Sequence, residues 1–337
     1  MLRKAGSAGA KDLVQKFGYP LFVNNIEAFA NFRLGCDVSF ISAVGNDQEG
    51  RYFLDSCPHI VSISFPIYVP MWYLPDLMEK LSLMVSYSTL SMLQEPSNVE
   101  FVEDLPTAKY MSVNIGGEVR FGISSIGDIV ERISPELVTS HENLLSSADF
   151  ILFDGNLSTQ TIKRIVDLST FYHKKAWFEP TDIAKLRKIF DSGAMEQIQV
   201  ISPNANEFRQ MVQRSGLEIS ENVLHSPYHV CDFVYSNPQI MYNLEMLIVT
   251  LSSHGTAIIF RRPDGSISSS LLPTPLERGK VVSVSGAGDS LNSGILAGMV
   301  NGLPMEKCFR VGQACAALTL QTTEAISPSI TPQLLSV

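Results

Sequence analysis

Cysteine is scarce in this sequence, and its spacing forms no recognised pairing pattern. Five cysteines occur among 337 residues, and none belongs to a C-x-x-C pair. A zinc site or a redox pair normally needs such close spacing, and a disulfide framework normally uses an even number. The sequence therefore predicts free, buried thiols in a reducing compartment. The cysteines are Cys36, Cys57, Cys231, Cys308 and Cys315.

Long apolar runs and a surplus of positive charge are also missing. The most apolar region, residues 59–93, is interrupted by prolines and charged side chains, so it holds no span that could cross a bilayer. A net charge of −9 and a pI of about 5.2 argue against a nucleic-acid or membrane partner. Residues 1–11 lack the apolar core of a secretion signal. We expect a cytoplasmic protein that binds small molecules, with a mitochondrial leader as the alternative.

Two common phosphate-binding fingerprints are absent. The dinucleotide pattern needs a third glycine where Leu291 stands, and it normally follows an early strand. The nearest approach to a Walker loop, residues 45–50, is followed by Arg51 and Tyr52 instead of Lys and Ser or Thr. The sequence thus excludes a P-loop and gives little support to a dinucleotide-dependent oxidoreductase.

The segment 281–294 is where we expect the chemistry. A β-branched run at 281–284 gives way to small residues and then to apolar residues at helical spacing, which predicts strand, tight loop and helix. Small residues let backbone amides approach a ligand, and a helix start favours an anion. Asp289 could then accept a proton from a hydroxyl that attacks a phosphate. The structural alternative is that Ser285 caps the helix while Asp289 complements its dipole.

From residue 126 onward, short apolar strands alternate with helices, which predicts β-α units around a parallel sheet. Helices are expected at 158–173, 183–192 and 203–213, the last with Ser202 as its cap and Pro203 in its first turn. Ligands gather at the carboxyl ends of strands in such sheets. The polar residues predicted at these ends are Asp154, Glu179, Asn204, Thr250 and Ser285.

Four motifs resemble those of the ribokinase-like (PfkB-type) sugar and nucleoside kinases, in the same order. They are residues 33–50, Ser202-Pro-Asn-Ala-Asn-Glu207, 248–255 and Gly286-Ala-Gly-Asp289. Within that family, residues 153–158 and 177–182 are most similar to pseudouridine kinases. The resemblance covers roughly residues 33–56 and 110–330. It implies an α/β fold, namely a three-layer α/β/α sandwich with a mainly parallel central sheet and a small β lid, for which a hairpin over 110–123 is the candidate.

The resemblance also implies a set of site residues and cofactors. Asp289 would be the catalytic base, and Glu207 would orient water around Mg²⁺, an ion that keeps much of its water in proteins. ATP is the implied co-substrate, and a monovalent cation is left open. Ser252 stands where the family more often has glycine. The anion hole would consist of Gly286, Ala287 and Gly288. ATP would be bound by Asn204, Thr250, Gly255 and Gln313, and the acceptor by Asn25 and Asp47.

The N-terminal part departs from the family pattern. Members usually begin with a strand ending in a substrate-binding Asp and a Gly-Gly segment; here no such strand is evident, and Leu21-Phe22 stands in place of the glycines. Asn24 or Asn25 would then be left to bind the acceptor, and the structural alternative is that both asparagines cap a helix. Asp47 could likewise bind the acceptor or serve as a loop or helix-cap carboxylate. We divide the chain into a divergent N-terminal part (1–56), a divergent insertion with the lid hairpin (57–125) and a nucleotide-binding core (126–330).

Two hypotheses of function follow. The first is ATP-dependent phosphotransfer to an alcohol, with the 5′-hydroxyl of pseudouridine as the expected acceptor and another sugar or nucleoside as the alternative. The second is a non-catalytic nucleotide-binding relative that has lost its acceptor site. A homodimer formed through the lid sheet is left open.

Overall fold

The computed structural model describes residues 2–5, 20–23, 30–31, 33–51, 98–115 and 118–337. These residues form two β-sheets and the helices that pack on the larger sheet. The strands are β1 Leu2–Ala5, β2 Pro20–Val23, β3 Ser39–Gly45, β4 Val99–Val102, β5 Lys109–Ile115, β6 Glu118–Ser125, β7 Phe150–Asp154, β8 Lys175–Glu179, β9 Val200–Ile201, β10 Met246–Thr250, β11 Thr256–Arg261 and β12 Ile267–Leu272. The α-helices are α1 Pro135–Ser140, α2 Glu142–Ser147, α3 Thr159–Phe171, α4 Ile183–Asp191, α5 Ala205–Arg214, α6 Pro227–Ser236, α7 Ala287–Val300 and α8 Met305–Leu320.

The large central sheet has the strand order β12-β11-β10-β9-β8-β7-β2-β3-β4 within the described part of the chain. The strands from β10 to β4 pair in parallel, whereas β11 and β12 extend the sheet as antiparallel strands. The strands Phe150–Asp154 and Met246–Thr250 are apolar and almost wholly buried, as expected for strands covered on both faces. The carboxyl ends of the parallel strands therefore meet at one edge of the sheet.

Alternate residues of each strand point to opposite faces of the sheet and enter two separate hydrophobic cores. Ile151 and Phe153 pack in the core that contains the buried residues of helices α1 to α6. Phe150 and Leu152 pack in the core that contains those of α7 and α8. Helices thus cover both faces of a mainly parallel sheet, and the predicted three-layer α/β/α architecture is confirmed.

The second sheet is small and antiparallel, with the order β1-β5-β6. Strands β5 and β6 form the hairpin predicted over 110–123, paired from Lys109 opposite Ser125 to Ile115 opposite Glu118 with a register shift between Val113 and Asn114. Strand β1, which the sequence did not suggest, pairs with β5 on its other side. Across the described residues, no helix combines the length and apolar character needed to cross a membrane.

Two sequence predictions about strands are wrong. Residues Pro20–Val23 do form a strand, which lies between β7 and β3 in the central sheet, so Leu21 and Phe22 belong to a strand and not to a glycine-like loop. Residues 281–284 do not form one. Val282 donates its amide to the Leu320 carbonyl at 2.7 Å, and its side chain is exposed. A β-branched run becomes a strand only where a neighbouring strand is available, and β11 already occupies the position beside β10.

Candidate active site

The predicted glycine loop forms a tight elbow at the start of α7. Gly286 is the residue before the helix and has φ +78°, a left-handed conformation that favours glycine. A Cβ added there would lie 1.7 Å from the Ala325 carbonyl oxygen, so packing also requires glycine. No side chain caps this helix, which rules out capping by Ser285. A Cβ added at Gly288 would meet nothing within 4 Å, so there is open space in front of the first turn.

The amides of this first turn are the donors that an anion could use. In an α-helix the first amides have no carbonyl partner four residues earlier, and the first bond of that kind here runs from the Ser290 amide to the Gly286 carbonyl at 2.9 Å. The Ala287 amide is partly occupied, because it contacts the Val284 carbonyl at 3.3 Å. Of the predicted anion hole, Gly288 is therefore the better placed donor, and Gly286 serves to shape the turn.

Asp289 lies in that first turn and is only partly exposed to solvent. Burial raises the pKa of its carboxyl group to about 6, because the charged form loses hydration. The group is still mostly ionised near pH 7.5, yet it binds a proton more readily than an ordinary aspartate. This is the property that a general base for a hydroxyl proton needs.

A second carboxylate, Glu179, is held against the same helix. Glu179 is the last residue of β8, and its Oε2 accepts hydrogen bonds from Ser202 Oγ at 2.6 Å and from Asn292 Nδ2 at 3.1 Å. The indole Nε1 of Trp177 donates to Ser202 Oγ at 2.8 Å and so fixes the hydroxyl. The sequence placed Glu179 at a strand end but gave it no role. The spacing of Asn292, three residues after Asp289, was a signal that one helix face carries both groups.

Glu207 is the third carboxylate, and it completes the start of helix α5. Asn204 is the N-cap: its Oδ1 accepts from the Asn206 and Glu207 amides at 3.0 and 3.1 Å, while Glu207 Oε2 accepts from the Asn204 amide at 2.7 Å. This capping box means that the prediction of Ser202 as cap and Pro203 in the first turn is wrong. Glu207 is buried, and its Oε1 has no hydrogen-bond partner within the described residues.

The three carboxylates influence one another electrostatically. Burial raises the pKa of Glu207 to about 7. Burial, followed by the charges of Glu207 and Asp289, raises the pKa of Glu179 well above its ordinary value. Ionising several neighbouring carboxyl groups in a buried site is energetically unfavourable unless a cation binds among them. The site therefore favours a cationic ligand.

These residues fit a hydrated magnesium ion. Glu207 Oε1 is a buried acceptor that lacks a partner, and acceptors of this type are normally satisfied by water, a donor or an ion. Within the described chain, no three His, Cys, Asp or Glu side chains converge as a ligand group. A cation here would thus be held through its water shell by one or two carboxylates, which is how Mg²⁺ is often bound.

The predicted nucleotide-binding residues Asn204 and Thr250 are brought together. They form a parallel bridge at neighbouring strand ends, and the Thr250 amide donates to the Pro203 carbonyl at 3.1 Å. Gly255 closes the following turn with φ +98°, and a Cβ there would lie 2.3 Å from the Leu272 carbonyl oxygen. Ser252, in the same turn, has φ +54°, which explains why glycine suits this position better.

Three further predicted residues lie apart from this arrangement. Gln313 is partly exposed and donates its Nε2 to the Pro273 carbonyl at 2.7 Å, so it holds the segment that follows β12. Asp47 accepts hydrogen bonds from the Gly50 amide and from the amide and hydroxyl of Thr107 at 2.6 to 2.8 Å, as its structural alternative expects. Asn25 and its neighbour Asn24 fall outside the described residues.

Comparison with known proteins finds a matching family model and similar curated proteins. A family model described as pfkB family carbohydrate kinase matches residues 95–332. A pseudouridine kinase of Arabidopsis thaliana is 23% identical over 282 residues, covering 69% of this chain and 73% of that protein. A pseudouridine kinase of Escherichia coli K12 is 24% identical over 229 residues, covering 66% of this chain and 65% of that protein.

Among solved structures, a ribokinase of Arabidopsis thaliana complexed with ribose and ATP superposes with a TM-score of 0.59 at 12% identity, covering 96% of this chain and all of that one. Such a likeness supports the ribokinase-like fold. The family model spans well over half of the sequence and includes the elbow, the capping box and all three carboxylates. The chain belongs to the pfkB family of carbohydrate kinases.

Proposed function

We propose that this protein transfers the γ-phosphoryl group of ATP to a hydroxyl group of a nucleoside or sugar. The observation that carries the proposal is the Asp289 carboxylate, with its pKa raised to about 6, at an uncapped helix start that leaves open space in front of Gly288. The backbone amides of this first turn suit an anionic ligand, and the Asp289 carboxylate beside them suits a proton. Few reactions other than phosphoryl transfer to an alcohol need both.

Each group has a separate task in this proposal. Asp289 takes the proton from the acceptor hydroxyl as its oxygen attacks the γ-phosphorus. The amides of Gly288 and Asp289 donate to the phosphoryl oxygens, where negative charge develops. Asn204 and Thr250, at adjoining strand ends, hold the phosphate part of the nucleotide. When bound, Mg²⁺ would neutralise phosphate charge, and Glu207 with Glu179 would hold its water shell.

We infer further that the acceptor is a riboside, with the 5′-hydroxyl of pseudouridine as the first candidate. The support is the names of the two relatives, which are pseudouridine kinases at 23% and 24% identity. ATP as donor is supported by family membership and by the ATP complex of the ribokinase that shares the fold. The cofactor Mg²⁺ is supported by the unpartnered Glu207 oxygen.

A phosphotransfer assay over a panel of ribosides and sugars tests both levels of the proposal. Pseudouridine, uridine, adenosine and ribose are each incubated with Mg·ATP and the parent chain or Asp289→Asn. We expect phosphorylated pseudouridine from the parent and a rate lower by about 10²–10⁴ in the variant, the range for a general base. Mg·ATP binding without transfer to any acceptor would support the non-catalytic alternative. Equal rates in parent and variant would refute the role of Asp289.

A further inference from the structure

Two histidines outside the carboxylate site lie close together, each at the end of a short helical turn. The rings of His225 and His254 have centroids 5.3 Å apart and planes inclined at 37°. Both side chains are exposed to solvent. They come from separate segments: His225 ends the 3₁₀ turn Glu221–His225, and His254 ends the 3₁₀ turn Ser252–His254.

Both backbones that carry these rings are fixed. The turn around His254 is closed by hydrogen bonds from the Leu251 amide to the Gly255 carbonyl at 2.8 Å and from the His254 amide to the Leu251 carbonyl at 3.0 Å. On the other side, Leu224 is buried in the core next to His225. Glu221, at the start of the same turn, forms an ion pair with Arg209. The backbone segments that carry the two imidazoles are thus held in place before any ligand arrives.

This separation suits a shared metal ion. Zinc binds imidazole nitrogen at about 2.0–2.1 Å with tetrahedral angles, which places the centroids of two ligating rings about 5–6 Å apart. Imidazole is a preferred ligand of zinc, copper and nickel, whereas Mg²⁺ prefers oxygen. We propose that His225 and His254 form a second metal site, selective for a zinc-like divalent ion and distinct from the magnesium site.

The remaining coordination positions of this site belong to water or to a ligand. No third His, Cys, Asp or Glu joins the pair among the residues described, so the site is an open one. His229, four residues after His225, contacts the Asn222 carbonyl through its Nδ1 at 3.3 Å. Bound zinc would tie the Ser252–His254 turn to the segment that leads into α6.

The site has a consequence for nucleotide binding, and this second step rests on the proposed function. The turn that carries His254 lies between Thr250 and Gly255, the residues proposed to approach the nucleotide. A metal that restrains this turn changes the affinity for ATP, and by linkage ATP changes the affinity for the metal by the same factor.

Equilibrium dialysis of the full chain against Zn²⁺, without nucleotide or Mg²⁺, tests the site itself. Parent, His225→Gln and His254→Gln are compared with His173→Asn. This control removes a histidine just before the amino-terminal end of β8, whereas His254 follows the carboxyl end of β10. We expect one bound zinc in the parent and in the control, and an affinity lower by about 10- to 100-fold in either glutamine variant. Equal binding in all four proteins, or none in the parent, would overturn the proposal.

Copper resonance and ATP titration complete the test. Cu²⁺ bound to the parent should show hyperfine coupling to two imidazole nitrogens, reduced to one in each glutamine variant; unchanged coupling in the variants would contradict the site. The Kd for ATP should change with Zn²⁺ in the parent and stay constant in both variants. If zinc binds as predicted but the Kd for ATP does not move, the coupling fails while the metal site stands, and the kinase assay in Mg²⁺ judges the proposed function separately.

Discussion

At the residue scale, the behaviour of Asp289 depends on the carboxylate that the sequence left without a role. Glu179 and Asp289 are on different elements, yet Asn292 of α7 donates to Glu179, and the charge of Asp289 contributes to the raised pKa of Glu179. Because the interaction between two charges is reciprocal, ionised Glu179 also makes ionised Asp289 less favourable. The two carboxyl groups therefore titrate as an interacting pair.

The pH dependence of turnover tests this relation. In the parent, we expect kcat/KM to fall below about pH 6, because Asp289 must be ionised to accept the proton. Glu179→Gln holds this side chain uncharged at every pH while keeping an acceptor for Ser202 and Asn292, so the acid limb should lie at or below its position in the parent. Asn292→Asp, the matched opposite change, should move it to higher pH. An acid limb at the same pH in all three proteins would show that Glu179 does not tune the base.

At the element scale, the crossing of α7 and α8 sets the position of the elbow. The helices meet through glycines: a Cβ added at Gly294 would lie 2.6 Å from Gly312 Cα, and one added at Gly312 would lie 2.6 Å from the Leu291 carbonyl oxygen. Gly294 and Gly312 are therefore close-packing positions between the two helices. The elbow at Gly286 sits at the end of a helix that cannot shift outward without losing this contact.

The variant Gly312→Ala should consequently destabilise the protein. The added methyl group meets backbone that cannot move aside, and such overpacking typically lowers the free energy of unfolding by about 1–3 kcal/mol. Urea denaturation followed by circular dichroism measures the change. Gly279→Ala is the matched control, since its Cβ would meet nothing within 4 Å. A Gly312→Ala protein as stable as this control would mean that the two helices separate easily.

In the turn after β10, a substitution should stabilise the protein instead. Ser252 has φ +54°, a conformation that costs a non-glycine residue about 1–2 kcal/mol, while glycine loses about 0.5–1 kcal/mol through chain entropy. Ser252→Gly should therefore raise the free energy of unfolding by about 0.5 kcal/mol. Ser253→Gly, one residue later and without a positive φ, should lower it by about 0.5–1 kcal/mol. Thermal unfolding separates the two, and equal shifts would argue against strain at Ser252.

At the scale of the whole molecule, the carboxylate site makes stability depend on pH and on magnesium. The folded-state pKa values of Asp289 and Glu207 are raised to about 6 and about 7, above their unfolded values near 4. Between pH 4 and pH 7 the folded chain binds more protons at these two groups than the unfolded chain does. The stabilisation from this extra proton binding is therefore present at low pH and is lost as the pH rises towards 7. A divalent cation favours the ionised groups and should offset that loss.

Thermal unfolding with and without Mg²⁺ at pH 5 and pH 8 measures this effect. We expect the rise in Tm caused by Mg²⁺ to be larger at pH 8, because the carboxylates are ionised there and the ion binds only the folded chain. In Glu207→Gln the rise should be smaller at pH 8. Ca²⁺ serves as a control for charge without a preference for a tight octahedral water shell. A Mg²⁺ effect that is the same at both pH values would contradict a cation site formed by these groups.

Much of the fold was predictable because its signals are local. Short apolar strands such as Phe150–Asp154, the helix periodicity from Thr159 onward and the glycine-rich segment ending in Asp289 each specify their own conformation. The prediction of a strand at 281–284 was wrong because a strand forms only beside a neighbouring strand, and the run itself does not show whether one is available. Strand β2 escaped prediction for a related reason, since four residues between polar stretches carry little periodic signal.

The sequence by itself determined the α/β class, the elbow at Gly286 and the family of chemistry that Asp289 indicates, because residue type and spacing along the chain carry these features. Only the tertiary structure decided that Glu179, Glu207 and Asp289 share one electrostatic environment, and that His225 lies beside His254. These groups come from segments far apart in the chain, and the parallel sheet brings its strand ends to a common edge. Their pKa values and partners depend on burial and distance, which arise only when the chain has folded.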